Sequence, residues 1–315
     1  MSLHRVLVSC PPMLGMLGEF LAPARDLRID LVAAEVTQTL SEDQLIELVP
    51  QFDAWIIGDD PATKRVFEAG KAGSLKAAVK WGIGVDNVDF KACADLGIPI
   101  ANTPGMFGGE VADVAVGYVI SLARQTFEID RGVRQGSWPK PCGISLAGRT
   151  VAVIGYGDIG RNTARRLLAA DIAVIAYDPF ADASSLEEGV SLAPWPERLG
   201  EADFVVVNCA LTPSSHHLLN AEAFGRMKTG VRVVNVGRGP VIDEQALISA
   251  LADGKVHSAA LDVFEQEPLP PDSPLRTHPS CIFGSHNASN TVDGVKRTSS
   301  KAIQLLAEFL QKGKV

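Results

Sequence analysis

Val151-Ala-Val-Ile-Gly-Tyr-Gly-Asp-Ile-Gly160 is the stretch on which the reading of this chain turns. Its four leading apolar residues, bounded by Thr150 and Gly155, have the length and character of a buried parallel strand. A GxGxxG spacing follows at once, and then a helical pattern from Arg161 to Ala170. Three spaced glycines alone are weak evidence; strand, glycines and helix in that order are strong. Gly155 permits the tight turn, Gly157 lets the backbone approach an anion, and Gly160, the glycine after Ile159, lets helix and strand pack closely. The helix N-terminus then turns its N–H groups and positive dipole end toward that anion. The next apolar run, Ala173 to Tyr177, ends in Asp178, near the ~20-residue spacing at which an acid meets ribose hydroxyls and repels a 2′-phosphate. Asp158 is discordant: a carboxylate beside a pyrophosphate is unfavourable unless it turns to solvent or to the N-cap region.

Outward from this unit, strands and helices alternate along the whole chain. Strand patterns precede it at Arg5–Ser9, Arg28–Ala33, Ala54–Gly58, Ala77–Trp81 and Ile98–Ala101, with helical spacing at 41–49, 63–71 and 88–96. Ser41 is a plausible N-cap. Strands follow it at Phe204–Asn208, Val231–Val236, Ser258–Asp262 and Cys281–Gly284, with a last helix over 291–312. Between the two series, Thr103-Pro-Gly-Met-Phe-Gly-Gly109 breaks the composition. A single long helix is expected over Glu110–Gln135, then a Gly- and Pro-rich loop over 136–148. Its stripe of small and apolar residues reads as core or as a subunit contact. Two such series imply α/β architecture with two doubly wound parallel-sheet domains, whose cleft is the natural ligand site.

Composition fits this reading. The chain has 315 residues, 46% hydrophobic and 21% charged, with a formal net charge of −8. That is enough chain for about two domains. An acidic chain without basic runs is a poor partner for nucleic acid or an anionic membrane. The longest apolar stretch, Val114–Ala123, is too short to span a bilayer. Five scattered cysteines without a CxxC pair suit reduced thiols in a cytoplasmic protein. No metal-ligand spacing is present.

In a parallel sheet all strand ends share one edge, and ligands bind there. The second series delivers to that edge Gly155, Asp178, Cys209 with Thr212, Gly237-Arg238-Gly239, Asp262 and Ser285-His286-Asn287. Hydride transfer to a 2-keto acid needs a cation for the carboxylate and carbonyl. It also needs a proton donor titrating near neutrality, and a carboxylate to orient that donor. Arg238, His286 and a nearby Glu are the natural set. Of the six histidines only His286 falls at this edge. His216 and His217, being adjacent, are expected to point apart and face solvent.

At these residues the chain resembles the D-isomer-specific 2-hydroxyacid dehydrogenase family, in its D-3-phosphoglycerate-dehydrogenase-like branch. The likeness runs through Trp81-Gly-Ile-Gly-Val-Asp-Asn87, Asn102-Thr-Pro-Gly105, the glycine motif with Asp178, and Leu211-Thr-Pro213. It continues through Asn235-Val-Gly-Arg-Gly239, Ala260-Leu-Asp-Val-Phe-Glu-Gln-Glu-Pro268 and His286-Asn-Ala-Ser289. The resemblance implies a catalytic triad of Arg238, Glu267 and His286, Glu267 being the acid directly before Pro268. It implies NAD as cofactor, held at Gly155, Gly157, Asp158, Ile159, Gly160, Asp178, Thr212, Val236, Gly237 and Asp262. Gly82, Ile83 and Gly84, with Lys80, would meet the substrate, a small 2-hydroxy or 2-keto acid. It implies a Rossmann NAD domain over 104–285 and a flavodoxin-like substrate domain over 1–103 and 286–315, in a homodimer. Two departures are Ser285, where relatives often carry Pro, and Asp158, where a basic residue is common. A dinucleotide-sensing scaffold of the C-terminal-binding-protein type would keep the same triad. Phosphite oxidation is a further alternative; formate oxidation is disfavoured, because those enzymes pair the His with Gln rather than Glu.

The loop Gly58-Asp59-Asp60 is acidic where a phosphate binder would want Arg. A small or polyhydroxylated acid is therefore expected ahead of 3-phosphoglycerate, with a solvated helix start before Pro61 as the plainer reading of the two acids.

Overall fold

The computed structural model describes residues 3–312. The chain divides into two compact units, Met1–Phe107 with Asn290–Val315, and Gly108–Ser289. The divisions lie at 107/108 and 289/290, four residues beyond the 103/104 and 285/286 expected from the sequence. His286 therefore belongs to the second unit.

In the first unit, among the described residues, β1 (His4–Val8), β2 (Ile29–Ala33), β3 (Ala54–Ile57), β4 (Ala77–Lys80) and β5 (Ile100–Asn102) form a parallel sheet in the order β2-β1-β3-β4-β5. β3 and β4 are buried along their whole length, as a central parallel strand must be. Trp55, Phe67, Val66, Leu45 and Val49 fill the core on one side. Ser41 caps the helix Glu42–Leu48 in a reciprocal pair with Gln44. The helix Val292–Lys312 packs on β4, and Trp81 Nε1 donates to Ser299 Oγ at 3.1 Å.

The second unit holds β6 (Thr150–Ile154), β7 (Ala173–Tyr177), β8 (Val190–Leu192), β9 (Phe204–Val207), β10 (Val231–Asn235), β11 (Val256–Leu261) and β12 (Cys281–Phe283). Its parallel order among the described residues is β12-β11-β10-β9-β6-β7-β8. The direction of winding reverses between β6 and β9, which makes their C-terminal ends the topological switch point. β9 and β10 are valine-rich and fully buried. β8 is a three-residue, half-buried edge strand, too short to leave a pattern in the sequence.

The expected single helix over 110–135 is two, Gly108–Arg124 and Thr126–Arg134. Gln125 breaks it by entering the left-handed region at φ 55°. The following loop folds back onto the break: Ile144 N donates to Ala123 O at 2.9 Å, and Gln125 Nε2 to Cys142 O at 3.2 Å. No Gly or Pro marks the spot.

Candidate active site

The site grows from the C-terminal ends of the second sheet. After β6, Gly155 turns at φ 87°, and a β-carbon there would stand 2.7 Å from the Cys209 Cα. The loops on either side of the switch point thus touch, and only glycine fits. Tyr156 is buried, and its N–H donates to Asp178 Oδ2 at 2.8 Å. Asp178 Oδ1 accepts from Phe180 N at 2.9 Å. Gly157 is the N-cap of the helix Asp158–Leu168, with Ile159 and Gly160 in its first turn. A β-carbon on Gly157 would meet nothing within 4 Å, so an open face remains where a pyrophosphate would approach. Arg161 lies over the Tyr156 ring at 5.7 Å and donates to Tyr156 O at 3.2 Å.

The Asp158 carboxylate resolves its own discordance. It lies against Gly108, whose β-carbon, if it had one, would stand 2.4 Å from the carboxylate oxygens. Asp158 Oδ1 also accepts from Asn162 Nδ2 at 3.2 Å. Its charge thus sits at the positive end of the helix Gly108–Arg124.

After β9 come Asn208 and Cys209. Both polar atoms of the Asn208 amide are buried without a partner, at the switch point itself. Such an amide calls for a ligand's polar group. Burial pushes the Cys209 thiol up to about 11. Thr212 belongs to a hydroxyl cluster with Ser214 and Ser215, at 3.0 and 3.1 Å. These donors, the open Gly157 face and the Asp178 carboxylate fit a dinucleotide lying across the switch point.

After β10, the buried Asn235 fixes the next loop. Its Oδ1 accepts from Gly237 N at 3.0 Å, and its Nδ2 donates to Arg238 O at 3.0 Å. Val236 is buried; Arg238 is half-buried, with Nη1 donating to Gly237 O at 3.1 Å. Gly239 packs so tightly on the neighbouring loop that its β-carbon would stand 1.8 Å from Phe264 O. The Arg238 loop and the Glu267 loop are therefore seated directly on one another.

After β11, Asp262 anchors the histidine. It is 3% exposed. Its backbone O accepts from His286 N at 2.6 Å, its Oδ1 from Asn287 N at 3.2 Å, and its Oδ2 from Ala288 N at 2.9 Å. These bonds hold His286 at φ 55°, a region that a residue with a side chain rarely adopts. They also tie 286–288 to the second unit. Burial, aided by the Asp262 charge, pushes the Tyr118 hydroxyl up to about 12. Glu267 Oε1 accepts from Phe264 N at 3.0 Å, and its Oε2 meets His286 Nδ1 at 2.7 Å. A carboxylate on Nδ1 fixes the imidazole tautomer and leaves Nε2 as the nitrogen that exchanges protons.

The residues expected to meet substrate lie in the first unit. Lys80 is 3% exposed; its Nζ donates to Gly58 O at 2.7 Å and to Asp59 Oδ1 at 3.0 Å. Its charge is thus shared with the Gly58-Asp59 loop of the same unit. Asp60 is not the solvated helix start expected. It is fully buried, accepting from Ser9 Oγ at 2.5 Å, Leu40 N at 2.8 Å and Gly58 N at 3.2 Å. Gly82 donates its N–H to Thr103 Oγ1 at 2.7 Å.

Sequence reasoning missed three roles. Asn235 and Asn208 stand at strand ends, where an Asn in an otherwise apolar run was the available signal. His216 and His217 do not point apart: their rings stack at 4.0 Å, and His217 Nε2 meets Glu265 Oε1 at 2.6 Å. Among the described residues no group of three or more His, Cys, Asp or Glu side chains is arranged to hold a metal ion.

Comparison with known proteins agrees with this geometry. Residues 116–288 match the family model described as "D-isomer specific 2-hydroxyacid dehydrogenase, NAD binding domain". The chain is 34% identical over 294 residues to a hydroxypyruvate reductase of Thermotoga maritima, covering 91% of this chain and 94% of that protein. It is 37% identical over 276 residues to chloroplastic D-3-phosphoglycerate dehydrogenase 2 of Arabidopsis thaliana, covering 86% of this chain but only 44% of that one. Apo D-lactate dehydrogenase from Escherichia coli superposes with a TM-score of 0.84 at 28% identity, over 99% of this chain and 98% of that one. With a glycine loop, an arginine loop and a Glu–His pair all at one sheet edge, the chain belongs to the D-isomer specific 2-hydroxyacid dehydrogenase family, and its second unit carries that family's NAD-binding domain.

Proposed function

We propose that this protein transfers a hydride between a small D-2-hydroxy acid and its 2-keto acid, with unphosphorylated substrates preferred. The observation that carries the reading is the 2.7 Å contact of Glu267 with His286, one loop away from Arg238. Bound NADH would supply the hydride at the nicotinamide. The Arg238 guanidinium forks onto the substrate carboxylate and carbonyl oxygens and draws electrons from C2. His286 Nε2 would deliver its proton to the carbonyl oxygen as C2 is reduced, giving the alcohol. Glu267 stabilises the imidazolium beforehand. Oxidation runs the same steps backwards, with neutral His286 taking the hydroxyl proton.

The unphosphorylated preference rests on the first unit. The segments after its strands, residues 9–10, 34–41, 58–63, 81–89 and 103–107, contain Glu35, Asp59, Asp60, Asp86 and Asp89 and no Lys or Arg. The nearby Lys80 is engaged with Asp59. A phosphate carries up to two charges and calls for cations. The near full-length match to a hydroxypyruvate reductase points the same way. The test compares kcat/KM for glyoxylate, hydroxypyruvate and 3-phosphohydroxypyruvate. An advantage of about tenfold for the phosphorylated substrate overturns the preference. Binding of NADH without turnover of any 2-keto acid would favour the scaffold reading.

We also infer a homodimer. Ile120, Phe127, Val133 and Trp138 of the second unit are each at least 42% exposed, an apolar group typical of a subunit contact. Light scattering should give twice the 33.4 kDa of one chain. The five cysteines are unpaired, which suits the cytoplasm. Among the described residues no helix is long and apolar enough to cross a membrane.

A further inference from the structure

The loop Val263-Phe-Glu-Gln-Glu-Pro268 carries two carboxylates, and each holds a histidine. Glu267 holds His286; Glu265 holds His217, at 2.6 Å from Nε2 to Oε1. Both histidines have left-handed backbones, with φ 55° and 49°. The outer pair lies at the meeting of three loops. His217 N donates to Pro240 O at 2.8 Å, two residues beyond Arg238. Leu219 continues this pairing: its N donates to Val241 O at 3.1 Å. Glu265 Oε1 accepts from Glu244 N at 3.3 Å, at the start of the helix Glu244–Ala252. Glu265 N returns a bond to Glu244 Oε2 at 3.4 Å. His217 thus reaches both the arginine loop and the glutamate loop, from the segment that follows Thr212.

We propose that His217 and Glu265 are positioning residues for the hydride-transfer reaction, clamping the Arg238 and Glu267 loops in the spacing that catalysis requires. This rests on the dehydrogenase reading above. The pair is more exposed than the inner one, at 39% and 35% against 21% and 23% for His286 and Glu267. Its contribution is geometric. Small misplacement of catalytic groups lowers turnover steeply, even from a distance. The groups facing the pair are His216, stacked on His217, and Glu244 from the neighbouring helix. Burial and the Glu265 charge both push the Glu244 carboxyl up. A hydrogen-bond donor from His217 is what Glu265 needs in that acidic corner.

The experiment uses the full chain with its best 2-keto acid. His217→Ala and Glu265→Ala should each lower kcat by about tenfold while KM for NADH stays within about twofold. The double variant should lose little more than Glu265→Ala alone, because that variant already removes the bond to His217. His217→Gln keeps a side-chain N–H donor and should recover most of the turnover. Each variant is first checked for folding by circular dichroism and for NADH binding by fluorescence. Should the alanine variants not fold, His217→Gln against His217→Leu carries the comparison. Unchanged kcat, additive losses, or a Gln variant as poor as Ala overturns the proposal. If the parent protein reduces no 2-keto acid, it is the dehydrogenase reading that fails instead.

Discussion

The carboxylate of Asp178 holds the amide of Tyr156 at 2.8 Å, so the acid at the end of one strand also fixes the glycine loop at the end of the next. Asp178→Ser should therefore do two things. It should narrow the preference for NADH over NADPH, because the negative charge facing a 2′-phosphate is gone. It should also weaken NADH itself, because the loop loses an acceptor. Titration of both reduced cofactors by fluorescence checks this. A parent protein that binds NADPH as well as NADH would sink it.

His286→Ala should lose at least about 10²-fold in kcat with NADH affinity retained, since general acid–base help is typically worth that much. The direction of the pH dependence follows from the proton. Reduction needs imidazolium and should fall as pH rises; oxidation needs neutral imidazole and should rise. Rate profiles in both directions, with parallel slopes as the contrary result, decide it.

Arg238→Lys keeps the charge but not the fork. Affinity and rate should both fall, because an ammonium cannot bond two oxygens in one plane. The backbone bonds from Asn235 do not depend on the side chain, so the melting temperature should hold. A lowered melting temperature with KM and kcat near the parent would show that the side chain is structural.

Asp60 offers a stability prediction in the first unit. Burial pushes its carboxyl up, against the bonds from Leu40, Ser9 and Gly58. A carboxyl raised in the folded state stabilises it while protonated. That contribution is complete below the ordinary carboxylate range, about pH 4, and is lost as pH rises through the raised value. Asp60→Asn should flatten this part of the pH–stability curve. Asp60→Ala should cost about 1–3 kcal/mol by leaving the buried Leu40 N–H without the carboxylate that accepts from it. Thermal melts across the acid range would show it; identical slopes for the parent and the Asn variant would refute it.

The parallel strands and the edge that carries the site were legible because buried parallel strands are nearly pure Val, Ile, Ala and Phe. β6, β9 and β10 announce themselves, and the polar residues just after them declare the ligand edge. The break at Gln125 was not legible, since it depends on a loop returning from residues 142–144. The pairing of Lys80 with Asp59 was not legible, because Asp59 comes from a different strand end. His217 read as a solvated neighbour of His216 for the same reason: Glu265 lies 48 residues away. What local patterning conveys is where groups emerge from the sheet; which groups then pair across loops is decided by tertiary approach.

The Asp158 carboxylate occupies the space that a side chain at 108 would take. A methyl group at 108 would displace its oxygens by turning the Asp158 side chain to another rotamer. Two sites fifty residues apart are thus coupled: the residue at 108 sets the direction in which the acid at 158 points.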